Sequence, residues 1–355
     1  MRITEVSLKN FRCFKDVTIP IDDITIFIGE NNCGKTALLD TIKSTLSQKA
    51  GGKIPVFSEY DFFMDSESSS PNDSDGIDVN IKFEEQAVNE WPAEIVQSID
   101  EIIFSDLNTG IKSINLHLTC NYNATSKEFE QSVRFDDENG KPIGGRAIKK
   151  NNFFDFLRFT PVFFLPATRD AFVEFSSKSQ FWGKLLKSID LPEELISDIR
   201  SQIESLNSDL LSSEPKLTDI LETIREANSI LPTTKTGDVN IRALPVKPWD
   251  LLSRSEIVYR KGVDDPWLPI HKYGQGIQSL SVLFLFKAFI NNLLSSIYEH
   301  DSSPILTLEE PETHLHPQAA RNVFNYIDSF TGQKLITSHS PYFLQNVPLR
   351  KIRYR

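Results

Sequence analysis

The run Ile24-Thr25-Ile26-Phe27-Ile28 leads directly into Gly29-Glu30-Asn31-Asn32-Cys33-Gly34-Lys35-Thr36. A Gly-x-x-x-x-Gly-Lys-Thr spacing between a strand and a helix is a phosphate cradle. Gly29 lets the chain leave the strand sharply, and Gly34 lets backbone N–H groups close on phosphate oxygens with no Cβ in the way. The helix predicted over Ala37-Leu38-Leu39-Asp40-Thr41-Ile42 starts at this point, so its unpaired N–H groups and its dipole favour an anion. Lys35 is placed to neutralise the β and γ phosphates of a nucleotide, and the Thr36 hydroxyl to ligate Mg²⁺. Asn31, Asn32, Cys33 and Ala37 complete the expected lining of the cradle. The alternative is an ordinary strand, turn and helix that happens to contain a lysine. Cys33, at the helix start beside Lys35, is expected to be a reactive thiol that bound nucleotide protects.

At 355 residues, 39% hydrophobic and 25% charged, the chain has the mass for one large globular domain or two smaller ones. Its most apolar stretch, Val282 to Leu294, is interrupted by Lys287 and is too short to cross a bilayer, and the amino terminus lacks a signal-peptide layout. The three cysteines Cys13, Cys33 and Cys120 are too scattered for a zinc site or a disulfide framework, so a cytoplasmic location is expected. The formal net charge is −11, and between Val56 and Asp106 fourteen acidic residues face one basic one, Lys82. That stretch repels a polyanion, so DNA, if bound, belongs elsewhere. The basic candidates are Arg350-Lys351-Ile352-Arg353-Tyr354-Arg355 and the segment Arg146 to Lys150, each of which also reads as a solvated face.

Alternation of apolar and polar residues predicts strands at Ile3–Leu8 and Val17–Ile21, with further strands at Ile77–Phe83, Ile114–Tyr122, Ser132–Phe135 and Pro161–Leu165. Asp65 to Asp75, rich in serine and aspartate, predicts a mobile loop. Apolar residues at Ile196, Ile199, Ile203, Leu206 and Leu210, and again at Leu217, Ile220, Ile224 and Leu231, step by three and four, which predicts a helical hairpin broken at Glu214-Pro215. A long helix is predicted from Ser281 to Tyr298. Two buried strands follow, Ile305–Leu308 ending in Glu309-Glu310-Pro311-Glu312, and Lys334–Thr337 ending in Ser338-His339-Ser340-Pro341. In a parallel α/β sheet, ligands gather at the carboxyl ends of the strands. Here three such ends carry a phosphate loop, paired carboxylates and a histidine. Each alone has a bland reading, a solvated turn or a capping loop, but their joint order points to one α/β site.

These residues resemble those of the ATP-binding-cassette ATPases of the chromosome-maintenance and RecF group, and within it the OLD (overcoming lysogenisation defect) nucleases. The resemblance lies in Leu8-Lys9-Asn10-Phe11-Arg12-Cys13-Phe14, the phosphate loop, Leu308-Glu309-Glu310-Pro311-Glu312-Thr313-His314-Leu315-His316-Pro317 as Walker B and D-loop, and His339 as the switch histidine. It is close at the two ends of the chain, while about Gly51 to Lys261 matches only in general plan. It implies an ABC-type P-loop ATPase with a mixed sheet, an antiparallel β lobe and a helical hairpin insertion. The expected organisation is an amino-terminal ATPase lobe over residues 1–170, a helical insertion and dimerisation arm over 171–245, and a carboxy-terminal ATPase lobe over 246–355. A Toprim nuclease domain is expected after residue 355.

The resemblance also implies roles. The cofactors are ATP and Mg²⁺, with Lys35 on the phosphates, Thr36 and Glu309 on the metal, Glu310 as general base and His339 as γ-phosphate sensor. Glu309 stands where the commoner Walker B has aspartate, a change OLD-type sequences share. Tyr273-Gly274-Gln275-Gly276-Ile277-Gln278-Ser279 is similar to the signature loop, so Gln275 and Gly276 are expected at the γ phosphate of a second subunit in an ATP-linked homodimer, although the family commonly has serine where Gln275 stands. Arg12 is a nucleotide contact or a surface arginine beside Phe11, and Arg169 is a candidate neighbour of the site. The spacing of His314 and His316 invites a metal, but the D-loop resemblance accounts for them. The leading functional expectation is an ATPase module that controls DNA cleavage in bacterial antiphage defence, through a nuclease domain or partner. The alternatives are a RecF-like DNA-repair ATPase without a nuclease, and a nucleotide-sensing scaffold for a separate effector, which Glu310 disfavours.

Overall fold

The computed structural model describes residues 1–30, 32–46, 57–66, 70–143, 150–229, 242–245, 247–299 and 301–354. They divide into two units, Met1–Arg169 with Phe286–Arg355, and Asp170–Leu285, so the segment 246–355 is shared between them. In the first unit the chain opens with β1 (Ile3–Phe11), β2 (Phe14–Pro20), β3 (Ile24–Ile28) and α1 (Lys35–Leu46). It continues with β4 (Ile77–Glu84), α2 (Ala93–Ile99), β5 (Phe104–Ser105), β6 (Lys112–Asn123), β7 (Glu128–Asp136), α3 (Lys150–Phe159) and β8 (Val162–Leu165). β4 buries every second residue, as a strand with one face on a core must. It joins β1, β2, β5, β6 and β7 in an antiparallel sheet in which Val6 stands opposite both Ile19 and Ile81, and Ile81 opposite Leu116.

The second unit holds α4 (Ala171–Glu174), α5 (Trp182–Ser188), α6 (Glu193–Ser213), α7 (Pro215–Ser229), α8 (Pro248–Leu252), the strand pair β9 (Val258–Tyr259) and β10 (Leu268–Pro269), and the start of α9 (Gln275–Ile297). α6 and α7 are the predicted hairpin. Pro215 has no N–H to continue α6, so α7 begins there. Leu231, placed in the second helix from sequence, lies outside the described residues. Asn207, buried on α6, donates to the Leu244 carbonyl at 3.1 Å and accepts its N–H at 2.8 Å. α9 begins at Gln275, ahead of the predicted Ser281, because the Gly274 carbonyl accepts the N–H groups of Ile277 and Gln278 and so starts the helix within the glycine-containing loop.

Back in the first unit come β11 (Ile305–Glu309), α10 (Pro317–Asp328), β12 (Gln333–Thr337), α11 (Pro341–Leu344) and β13 (Ile352–Tyr354). The order β13-β3-β12-β11-β8 forms a second sheet in which every pairing is parallel. β3, β11 and β12 are buried almost without interruption, the pattern of strands covered on both faces. α1 directs Leu38, Leu39 and Ile42 into a core shared with Val6 and Ile81 of the antiparallel sheet and with Ile305 and Leu335 of the parallel one. Registers place Phe27, Thr337 and Glu309 level with one another, so three strands end at one edge. The closing stretch carries a one-turn helix capped by Ser340, and its strand is β13.

Candidate functional site

The phosphate loop joins β3 to α1 as the spacing requires. Gly34 has φ +97°, and a Cβ there would stand 2.4 Å from Cys13 Sγ and 2.6 Å from Phe14 Cζ. Only glycine fits both the conformation and the space. Lys35 is buried, and its Nζ donates to the carbonyls of Gly29 at 3.1 Å and Glu30 at 2.7 Å while lying 3.5 Å from Cys33 Sγ. Thr36 is exposed at the loop. A cleft of about 640 Å³ opens here, and Asn32, Gly34, Lys35, Thr36 and Ala37 line it together with Thr337, Glu310 and His339 from the ends of β12 and β11. Asn31 lies outside the described residues.

Glu310 follows β11 with φ 39°, in the left-handed region that costs a residue bearing a Cβ about 1–3 kcal/mol. Its N–H donates to the Thr337 carbonyl at 2.9 Å, and its Oε2 accepts the Thr313 hydroxyl at 3.1 Å. His339 Nε2 is 3.6 Å from Glu310 Oε1. Arg169, four residues past β8 and 2% exposed, fixes the turn from below. Its guanidinium donates to the carbonyls of Glu309 (2.9 Å), Glu310 (2.6 Å) and Pro311 (3.0 Å), and to that of Pro166 (3.1 Å). Burial lowers its pKa to about 10, which leaves it cationic at neutral pH. Glu312 is buried in the same turn, and burial pushes its carboxyl above the ordinary range.

Glu309 Oε1 is buried and has no hydrogen-bond partner, which leaves an unsatisfied acceptor at the end of β11. An orphaned carboxylate oxygen there and a hydroxyl at Thr36 suit Mg²⁺, which takes one or two protein oxygens and completes its shell with water and phosphate. Among the described residues no group of three or more His, Cys, Asp or Glu could hold a metal. His316 caps α10, its Nδ1 accepting the Gln318 N–H at 3.4 Å.

Arg12 lines the cleft with its side chain already engaged. It meets Asp40 of α1 and Asp61, each at 2.9 Å, and its N–H donates to the Asp61 carbonyl at 2.8 Å. It therefore ties the segment around Asp61 to the rim, where Tyr60, Phe62 and Met64 line the cleft. Sequence reasoning missed these three, along with Cys13 and Thr337. The only hint was an acidic, aromatic stretch with no motif spacing. Gln275 and Gly276 lie in the other unit, in the first turn of α9, with Gln275 exposed. No helix among the described residues is long and apolar enough to cross a membrane.

The sequence model of the AAA ATPase domain family, AAA_15, matches residues 1–344. An OLD nuclease of Thermus scotoductus is 26% identical over 356 aligned residues, which take in 96% of this chain but 59% of that protein. The chain thus spans a little over half the length of that relative. Among solved structures, a Smc head bound to the C-winged helix domain of ScpA matches with a TM-score of 0.52 at 16% identity, over 98% of this chain and 92% of that one. A head domain of the same type from Thermotoga maritima matches at 15% identity with a TM-score of 0.45, over 100% of this chain and 94% of that one. At such identities the likeness to solved structures is one of fold, that of an ABC-type P-loop ATPase head.

Proposed function

Because the chain belongs to the AAA ATPase domain family, we propose that it binds ATP with Mg²⁺ in the cleft above β3, β11 and β12 and hydrolyses it with Glu310 as general base. The observation that carries this is the convergence of Lys35, Thr36, Glu310 and His339 on one cleft from three strand ends level in the sheet. Lys35 exchanges its carbonyl partners for the β and γ phosphates, whose negative charge repays the move. Glu310 orients a water and takes its proton as the new oxygen–phosphorus bond forms and the bond to the bridging oxygen breaks. His339, beside Glu310, contacts the γ phosphate and reports its presence. Thr36 and Glu309 would hold Mg²⁺, which when bound supplies charge neutralisation on the phosphates.

The identity to an OLD nuclease supports a wider reading: an ATP-controlled DNA endonuclease of bacterial antiphage defence, with a metal-dependent Toprim nuclease outside residues 1–355. The amino terminus of α9, with Gln275 exposed, supports an ATP-linked dimer in which this helix faces the partner's γ phosphate. Glu310→Gln should bind ATP, lower turnover roughly a hundredfold, and form an ATP-dependent dimer by light scattering, whereas Lys35→Ala should lose ATP binding. Unchanged turnover in Glu310→Gln removes the general-base role. Purified residues 1–355 should hydrolyse ATP without nicking plasmid DNA in Mg²⁺ or Mn²⁺.

A further inference from the structure

A third buried carboxylate joins the turn that carries Glu310 to the loop that carries His339. Glu312 is 7% exposed and does not line the cleft. Its Oε1 accepts the Ser338 hydroxyl at 2.6 Å and the Ser340 N–H at 3.3 Å, from the residues on either side of His339. The Ser340 N–H also reaches Ser338 Oγ at 3.2 Å, which closes a small ring of contacts on one carboxylate oxygen. Ser338 has no exposed surface, and its N–H donates to the Phe27 carbonyl of β3 at 3.1 Å, two residues before the phosphate loop. On the other side, the Thr313 N–H donates to the Glu310 carbonyl at 2.9 Å, so the residue after Glu312 is bonded to the general base. Pairing of β11 with β12 ends at Glu309 and Thr337, and beyond it the strand ladder no longer sets the distance between Glu310 and His339.

Resting on the ATPase reading above, we infer that Glu312 is a positioning residue: through Ser338 and Ser340 it holds His339 at Glu310 without touching the nucleotide. Both hydrogen bonds fall on Oε1, which accepts them, while Oε2 is buried without a hydrogen-bond partner and the carboxylate charge is felt by the buried Arg169. For holding the His339 loop it is the acceptor at Oε1 that counts, so an amide oxygen at the same reach keeps that role. A carboxylate needed only for its charge, or a residue that merely filled the core, would behave differently.

The test measures ATP turnover of the whole chain, with nucleotide affinity and thermal unfolding recorded for each variant. Glu312→Ala is expected to lower kcat about tenfold or more with KM and ATP affinity close to wild type, since the lost alignment acts in the transition state. Glu312→Gln is expected to recover most of that loss. Wild-type kcat in a folded Glu312→Ala, or a Glu312→Gln as slow as the alanine variant, overturns the inference. Should Glu312→Ala fail to fold, Ser338→Ala, which removes the hydroxyl that donates to Glu312 and accepts the Ser340 N–H, is expected to lower kcat at unchanged KM, and full activity in it overturns the inference equally. A wild-type chain that binds but never hydrolyses ATP fails the ATPase reading itself, whereas active wild type with an unaffected Glu312→Ala fails this inference alone.

Discussion

Replacing Arg169 with alanine withdraws, in one step, the donor of three consecutive carbonyls, those of Glu309, Glu310 and Pro311. The side chain is 2% exposed, so water does not readily replace it. At about 1 kcal/mol per hydrogen bond lost, the turn gives up roughly 3–4 kcal/mol. The Glu310 carbonyl keeps the Thr313 N–H, which holds the figure below the sum for three bare acceptors. For a unit of this size, roughly 2–4 °C of Tm goes with each kcal/mol, so the melting point should fall by about 6–16 °C. Activity should fall with it, because Glu310 is held at φ 39° and freed carbonyls let that residue relax toward an ordinary conformation. Arg169→Lys keeps the charge but cannot spread donors over three carbonyls, so it should lie between the two. Scanning calorimetry and ATP turnover on the same preparations are the assays. A Tm for Arg169→Ala within about 2 °C of wild type would refute the reasoning, since it would mean that the staple contributes less than one ordinary hydrogen bond.

Gly34→Ala should abolish measurable ATP binding by calorimetry, because the added Cβ meets Cys13 Sγ and Phe14 Cζ at a positive φ; an unchanged Kd would show that the loop does not need glycine there. His117 joins three strands of the antiparallel sheet, with Nε2 2.8 Å from Asp78, Nδ1 2.6 Å from Asp136, Arg134 at 3.0 Å from Nδ1, and Lys9 nearby on β1. Its hydrogen bond to Asp78 raises its pKa, against the effect of burial and with help from Asp136. A raised folded pKa stabilises the protein fully below the unfolded value of about 6.5 and ceases to do so as pH rises through the folded value. Wild type should therefore exceed His117→Gln in urea midpoint by more at pH 6 than at pH 9, and the reverse order would contradict the assignment.

Much of the site was legible because its signals are local. A glycine at positive φ, a lysine beside a helix start and an apolar strand ending in carboxylates are each decided within a dozen residues, and Gly29, Gly34 and Lys35 behave accordingly. Most strands of both sheets were legible for the same reason, since burial on one face imposes alternation and burial on both imposes continuous apolar runs, whereas the two-residue β5 is too short to carry a period. The start of α9 at Gln275 was less legible, because Gly274 and Gly276 read as loop until a carbonyl and two N–H groups are seen to close the first turn.

Sequence by itself determined the glycine-rich loop before α1, the Glu309–Glu310 pair after β11, His339 after β12 and the helical hairpin, all of which depend on backbone preferences and periodicity along a short stretch. Tertiary structure alone decided what surrounds them. Arg169 reaches Glu310 across 141 positions of sequence, Ser338 reaches Glu312 across 26, and Arg12 meets Asp61 across 49. No periodicity encodes such pairs. The first two exist because parallel strands bring distant segments to one edge of a sheet, where a buried charge or acceptor must find its partner in whatever chain lies beside it; the third exists because the turn between β1 and β2 of the antiparallel sheet meets the segment around Asp61 through the Phe11–Phe62 bridge.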